Sequence, residues 1–372
     1  MSTDRSTTRL PDFPWDSLRP YGDTARAHPD GMVDLSVGTP VDPTPALLQE
    51  ALAAAADAPG YPLTAGTPAL REAALGFARR RLGATADVGV LPTVGSKELV
   101  GLLPVLLGLG PGDVVLHPDL AYPTYDVGAR IAGATPRPLR LTAPEDLPDD
   151  PGGARLLWLN SPANPTGRVL PAGLLRAAVD WGRRHGVLVV VDECYLELGW
   201  DVEPTSVLAV VGDDATGVLA VHSLSKRSTL AGYRLGLVVG DPAVVAGLLE
   251  VRRHAGLIVP APVQAAGAVA FADDEHVAAA RERYRARRAL LRPALESAGW
   301  AVTHSEAGLY LWASHPDHDA WGSVEALAEL GILVAPGVFY GTAGDRHVRV
   351  ALTATDERVA AAAGRLAALA AG

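Results

Sequence analysis

The stretch 217-GVLAVHSLSKRSTLAGYRLGLVVG-240 decides the fold class. Two apolar runs, 217–223 and 235–240, enclose a polar turn that carries Ser223, Ser225, Lys226 and Arg234. Neither run alternates polar with apolar residues, which is the pattern of a strand covered on both faces. Runs of the same kind occur at 113–118, 154–160 and 187–193. Helical periodicity fills 43–56, 67–82, 96–108, 171–185 and 241–254. Such alternation predicts an α/β layer with a mostly parallel sheet between helices. The pattern then changes to a long helix at 275–298, short strands at 300–304, 309–313, 332–335 and 347–351, and a last helix at 355–370. The expected organisation is therefore a three-layer α/β/α large domain over 41–254 and a smaller α+β domain over 255–372. The Pro- and Asp-rich segment 1–40 is expected to be an arm joining the smaller domain.

Composition narrows the chemistry. Of 32 Lys plus Arg residues only two are lysines, Lys97 and Lys226, so each retained lysine is informative. A net charge of −10 argues against a nucleic-acid partner, which calls for clustered basic residues. The single cysteine, Cys194, excludes an internal disulfide and nearly excludes a thiolate metal site, and the ten histidines show no metal-ligand spacing. No basic segment leads into an apolar stretch near residue 1, which argues against a signal peptide. The longest apolar run, 99-LVGLLPVLLGLG-110, is too short for a membrane span and contains Pro104. A cytoplasmic protein with no membrane contact is expected.

Ligands of α/β sheets gather at the carboxyl ends of strands. Four such ends carry polar groups: 89-GVLPTVGSKE-98, 160-NSPANPTG-167, 192-DECY-195 and 223-SLSK-226. Each alone has a bland reading. Asp192 alone reads as a helix cap, 164-NPTG-167 as an ordinary turn, and Tyr122 and Tyr125 as core aromatics. In order and at this spacing, they resemble the fold-type I pyridoxal-phosphate aminotransferases of class I/II over nearly the whole chain.

The resemblance implies a role for each residue. Lys226 is the amine that forms a Schiff base with the cofactor aldehyde, a task arginine cannot take because it does not deprotonate; the freed amine then moves the substrate α-proton. Asp192 pairs with the pyridinium nitrogen, Asn164 and Tyr195 donate to the ring oxygen, and Tyr122 stacks on the ring face. Gly95, Ser96 and Lys97 at a helix start, with Ser223 and Arg234, surround the phosphate. Arg349, in 347-HVRVAL-352, takes the substrate α-carboxylate beside Gly38 and Asn164. Tyr61 reaches the phosphate of a neighbouring subunit, implying a homodimer with shared active sites. No metal is implied.

Several stretches, among them 93-TVGSKELV-100 and 252-RRHAGLIVPAPVQAA-266, look like the bacterial N-succinyl-diaminopimelate aminotransferases of lysine biosynthesis. That likeness implies transfer of the amino group of glutamate to N-succinyl-2-amino-6-ketopimelate. Substrates with carboxylates beyond the α-position need further cations, for which Arg26, Arg252, Arg253 and Lys97 are candidates. An N-acetylornithine-like or secondary-metabolite substrate, or a fold-type I lyase reaction, would keep the same lysine and aspartate. A nicotinamide enzyme would need a G-x-G-x-x-G after a strand, and there is none.

Overall fold

The computed structural model describes residues 10–371 except Asp12; the first nine residues of the arm lie outside the described part. In chain order the strands are β1 (Val33–Asp34), β2 (Gly89–Thr93), β3 (Val114–Pro118), β4 (Thr135–Leu139), β5 (Ala154–Asn160), β6 (Leu188–Asp192) and β7 (Val218–Ser223). They continue as β8 (Gly236–Gly240), β9 (Ala301–Thr303), β10 (Tyr310–Ser314), β11 (Ile332–Leu333), β12 (Ala335–Pro336) and β13 (His347–Ala351). Seven strands form the central sheet in the order β2-β8-β7-β6-β5-β3-β4. Neighbours from β7 through β4 run parallel, and β8 is antiparallel to both β7 and β2.

Side-chain alternation explains the continuous apolar runs. On β6, Val189 and Val191 enter one core with Phe77 and Trp181, while Val190 enters a second core with Trp158 and Tyr125. Both faces are therefore covered, and β6 is apolar at every position up to Asp192 at its end. Helices such as Pro68–Arg81 and Ala172–His185 lie on the first face, and Ser96–Leu106 and Thr124–Ala132 on the second. Beyond the sheet, β12-β13-β10-β9 form a four-stranded antiparallel sheet, and β1 pairs in parallel with β11. Leu18, Ala25, Val33 and Leu35 of the N-terminal segment share a core with Trp300 and Leu311.

Several elements carry weak sequence signals. β4, 135-TPRPL-139, has two prolines, which a central strand would not tolerate; it pairs only with β3, at the sheet edge. The helix Ala261–Ala272 is apolar almost all round, so it shows no amphipathic stripe. None of the described helices is long and apolar enough to cross a membrane, and no cluster of metal-ligating side chains occurs among the described residues.

Candidate active site

Register aligns the chemistry. Asn160 at the end of β5 pairs with Asp192 at the end of β6, and Asp192 with Val221, two residues before Ser223 on β7. The three strand ends open onto a cavity of about 650 Å³. Its walls include Gly38, Ser96, Lys97, Tyr122, Asn164 and Asp192, together with Tyr195, Ser223, Lys226, Arg234 and Arg349. Gly95 precedes Ser96 in the same turn.

Ser223 caps the short helical turn Leu224–Arg227: its Oγ accepts from the Ser225 N–H at 3.1 Å, which leaves its own proton free to donate. That turn aims Lys226 into the cavity, where Nζ donates to the Gly38 carbonyl. Burial pulls the amine below the ordinary lysine range, and the nearby Arg349 and Arg234 cations push the same way against the opposing Tyr310 phenol. A half-buried amine biased toward its neutral form is a nucleophile in waiting.

Asp192 is the complementary case. It is buried, and burial raises its pKa, moderated by donors from Cys194 and Tyr125. Its Oδ1 accepts from the Cys194 N–H at 3.1 Å and its Oδ2 from the Tyr125 hydroxyl at 2.9 Å. No lysine, arginine or histidine among the described residues lies within salt-bridge distance of it. A buried carboxylate without a cation is costly, and a ligand that brings a protonated nitrogen would offset that cost.

At the other end of the cavity is an anion cup. Gly95 has φ +75° and ψ 160°, and a Cβ there would lie 2.3 Å from Arg234 Nη2. The helix Ser96–Leu106 starts at this turn, so its first free N–H groups face the same place as the Arg234 guanidinium. Arg234 itself has φ +60°, a strained conformation for a residue with a side chain.

Arg349 is buried on β13. Its Nη1 donates to Asn164 Oδ1 at 3.0 Å and its Nη2 to the Ser36 carbonyl at 2.7 Å, and Nε has no partner. The guanidinium lies 4.0 Å from the centre of the Tyr310 ring and 4.9 Å from that of Tyr340. Gly38 packs so closely that a Cβ would sit 2.0 Å from the Tyr310 hydroxyl oxygen. Tyr195 and Tyr310 share a hydroxyl contact of 3.2 Å. Burial alone would raise the Tyr310 pKa, but Arg349 and Lys226 beside it outweigh burial, and the phenol sits below its ordinary value. Tyr122 is pushed up to about 12 by burial and stays a neutral aromatic wall.

The structure chooses among the four candidate cations. Arg252 does not face the cavity: it is fully buried and donates to both Glu98 oxygens at 2.9 and 3.0 Å. Arg253 pairs with Glu250, and Arg26 with Asp23 on its own helix. Of the four candidate cations only Lys97 borders the cavity, 5.9 Å from the Tyr122 ring centre. Tyr61 is fully exposed and takes no part in this cavity of its own chain. Tyr125, read from sequence as core, is core and also binds Asp192. Tyr310 and Asn160 were not singled out. Asn160 Nδ2 donates to the Asp192 carbonyl at 2.9 Å and its Oδ1 accepts from the Asn164 N–H at 2.7 Å, locking the strand ends together. Its one sequence signal is its place as the last residue of an apolar strand.

These groups fit an aldehyde-bearing cofactor that has a phosphate at one end and a basic ring nitrogen at the other. Comparison with known proteins agrees. Residues 30–366 match the family model described as aminotransferase class I and II. The 4-dedimethylamino-4-oxo-anhydrotetracycline transaminase OxyQ of Streptomyces rimosus is 59% identical over 360 residues, covering 96% of this chain and 99% of that protein. A Mycobacterium tuberculosis protein named "Probable aminotransferase Rv1178" is 61% identical over 365 residues, covering 96% of this chain and 85% of that protein. Among solved structures, the "probable N-succinyldiaminopimelate aminotransferase" of Thermus thermophilus superposes with a TM-score of 0.86 at 30% identity, covering 95% of this chain and 99% of that one.

Proposed function

This chain belongs to the class I and II aminotransferases and is a pyridoxal-phosphate enzyme, and from that premise we propose how its own residues divide the work. The cofactor, when bound, supplies an aldehyde for the amino group and an electron sink for the substrate carbanion. Lys226 would hold the cofactor through its amine, and the free amine would be the group that carries the substrate α-proton. Asp192 would meet the ring nitrogen and favour its protonated form. Asn164 and Tyr195 would hold the ring oxygen, and Tyr122 would pack on the ring. The Gly95–Ser96–Lys97 turn, Ser223 and Arg234 would bind the phosphate. Arg349, with Asn164 and the Gly38 backbone, orients the α-carboxylate. The observation that carries this assignment is the pairing in one cavity of a half-buried amine and a buried carboxylate that has no cation among the described residues.

For the acceptor we propose N-succinyl-2-amino-6-ketopimelate, with glutamate as donor. The likeness to the Thermus thermophilus protein supports this, as does Lys97 at the cavity wall, where a distal carboxylate would meet a cation. A specific observation favours a second reading, an acceptor with a large apolar body. A second cavity of about 850 Å³ shares Phe13, Trp15, Lys97 and Tyr122 with the first and is further lined by Leu102, Val127, Ile131 and Phe339. The relative OxyQ is named as a 4-dedimethylamino-4-oxo-anhydrotetracycline transaminase. We further infer that 1–40, 41–254 and 255–372 act as arm, large domain and small domain. Tyr61, fully exposed beside exposed Leu63, would then serve the cavity of a second copy; a fully active monomer in sedimentation would remove the dimer.

One experiment separates these readings. Holoenzyme is mixed with single amino acids and loss of the cofactor's visible absorption is followed. Glutamate and N-succinyl-diaminopimelate are expected to discharge it, and Lys226→Ala to abolish both the band and turnover. Discharge by bulky apolar amines but not by N-succinyl-diaminopimelate would transfer the assignment to the second reading. A Lys226→Ala variant that still transaminates would remove the central claim.

A further inference from the structure

Tyr125 lies on the first turn of the helix Thr124–Ala132, and Tyr122 just precedes that helix, outside its N-cap Pro123. Its ring is held on two sides. It stacks on Trp158 of β5 with centroids 5.0 Å apart and an interplanar angle of 26°, and meets Tyr122 edge-on at 6.0 Å and 87°. Around it lie Val115, Leu156 and Val190, all fully buried. In such surroundings a phenol costs more than a phenyl ring unless its hydroxyl is bonded. The partner of that hydroxyl is Asp192 Oδ2, at 2.9 Å. Packing therefore accounts for an aromatic ring at 125, and only Asp192 accounts for its oxygen.

The carboxylate is held by one donor on each oxygen. The Cys194 N–H on Oδ1 is a backbone group in the turn that follows β6, two residues past its end. The Tyr125 hydroxyl on Oδ2 is fixed by the two ring contacts. Two donors on two oxygens set the plane of the carboxylate, and each oxygen keeps lone pairs for a donor in the cavity. We propose that Tyr125 is a positioning residue of the reaction, whose hydroxyl orients the Asp192 carboxylate toward the ring nitrogen and holds it ionised there. This rests on the reading that Asp192 faces that nitrogen. Burial raises the Tyr125 pKa well above the usual phenol range, so at working pH it remains a donor.

The test uses Tyr125→Phe, which keeps the ring stack and removes one oxygen. Holoenzymes of the wild type, Tyr125→Phe, Asp192→Asn and the double variant are separated from free cofactor. Dissociation is then measured for pyridoxal phosphate and for 1-deazapyridoxal 5′-phosphate, in which carbon replaces the ring nitrogen. Tyr125→Phe is expected to weaken pyridoxal phosphate about tenfold, as for loss of a hydrogen bond to a charged group. The deaza analogue should be held within about twofold of wild type, and the tenfold effect should disappear in the Asp192→Asn background. Equal weakening of both compounds would make Tyr125 a packing residue and overturn the proposal, as would unchanged binding of pyridoxal phosphate. If Asp192→Asn itself does not discriminate between the two compounds, the assignment of Asp192 falls, and this proposal with it. If Asp192→Asn discriminates and Tyr125→Phe does not, only the role of Tyr125 is lost.

Discussion

Gly95→Ala probes the proposed phosphate cup with a single methyl group. At φ +75° and ψ 160° the backbone occupies a region essentially reserved for glycine, and an alanine there costs about 1–3 kcal/mol of stability. The added Cβ would stand 2.3 Å from Arg234 Nη2 and 2.8 Å from its Cζ. Ordinary contact is about 3.5 Å, so the guanidinium must retreat by about 1 Å. It cannot do so freely, because Nη1 donates to the Ala231 carbonyl at 2.9 Å and the Arg234 backbone is itself at φ +60°. Losing one charge-assisted bond to the phosphate costs about 1.5–3 kcal/mol, or about ten- to hundred-fold in cofactor affinity. Equilibrium dialysis against pyridoxal phosphate and against pyridoxal, which lacks the phosphate, isolates the effect. The variant should bind pyridoxal as the wild type does and lose affinity only for the phosphorylated form. Equal losses for both, or none for either, would refute the argument that Gly95 makes room for Arg234 at a phosphate site.

Two further substitutions separate function from stability. Asp192→Asn should slow turnover strongly while raising the melting temperature of the cofactor-free protein near neutral pH, because it removes a buried charge that lacks a cation. The sign follows from linkage. A carboxyl whose folded pKa is raised contributes no penalty in acid, and stability falls as pH rises from the unfolded value, about 3.9, through the folded one. The gain should therefore vanish in acid; a gain independent of pH would contradict it. Arg252→Met should cost about 3 kcal/mol in denaturant unfolding, since Glu98 is left partly buried without its cation. It should leave KM for dicarboxylic substrates unchanged, and a raised KM with intact stability would return Arg252 to the substrate pocket.

Residues at the ends of apolar strands were legible because the strand itself is the signal. Asp192, Ser223 and Lys226 each follow a run that must be buried, so a polar group there needs a reason. Arg252 could not be separated from the other candidate cations for the opposite cause. Sequence displays its charge but not its partner, Glu98, 154 positions away. Tyr310 escaped notice because it opens an unremarkable antiparallel strand. Its position against Arg349, Lys226 and Gly38 exists only once β10 pairs with β13 and the 36–40 segment crosses them. Tyr125 was half legible: burial follows from its apolar neighbours, whereas its hydroxyl bond joins a helix to a strand end 67 residues on.

The site concentrates what a stable protein avoids, and its surroundings explain how that is borne. Thr229 at φ +53° and Arg234 at φ +60° lie within eight residues of Lys226, each costing on the order of 1–3 kcal/mol. The turn that carries them is anchored through the three residues that follow the lysine. Arg227, buried, pairs with Glu197 and donates to the Ala270 carbonyl at 2.9 Å. Ser228, fully buried, bonds His276 at 2.8 Å, and His276 in turn contacts Asp273 at 2.5 Å, at the start of the helix Glu275–Ser297. Thr44 Oγ1 holds the Thr229 carbonyl at 3.1 Å. With those anchors fixed, the turn cannot relax by moving away from the cavity. In the cofactor-free protein, Lys226 and Asp192 are both desolvated against their preferred charge states. A ligand that takes up the amine and brings a protonated nitrogen to the carboxylate relieves both penalties at once. Part of the affinity for cofactor is then relief of a desolvation penalty already present in the fold, which the tightly held turn keeps in place.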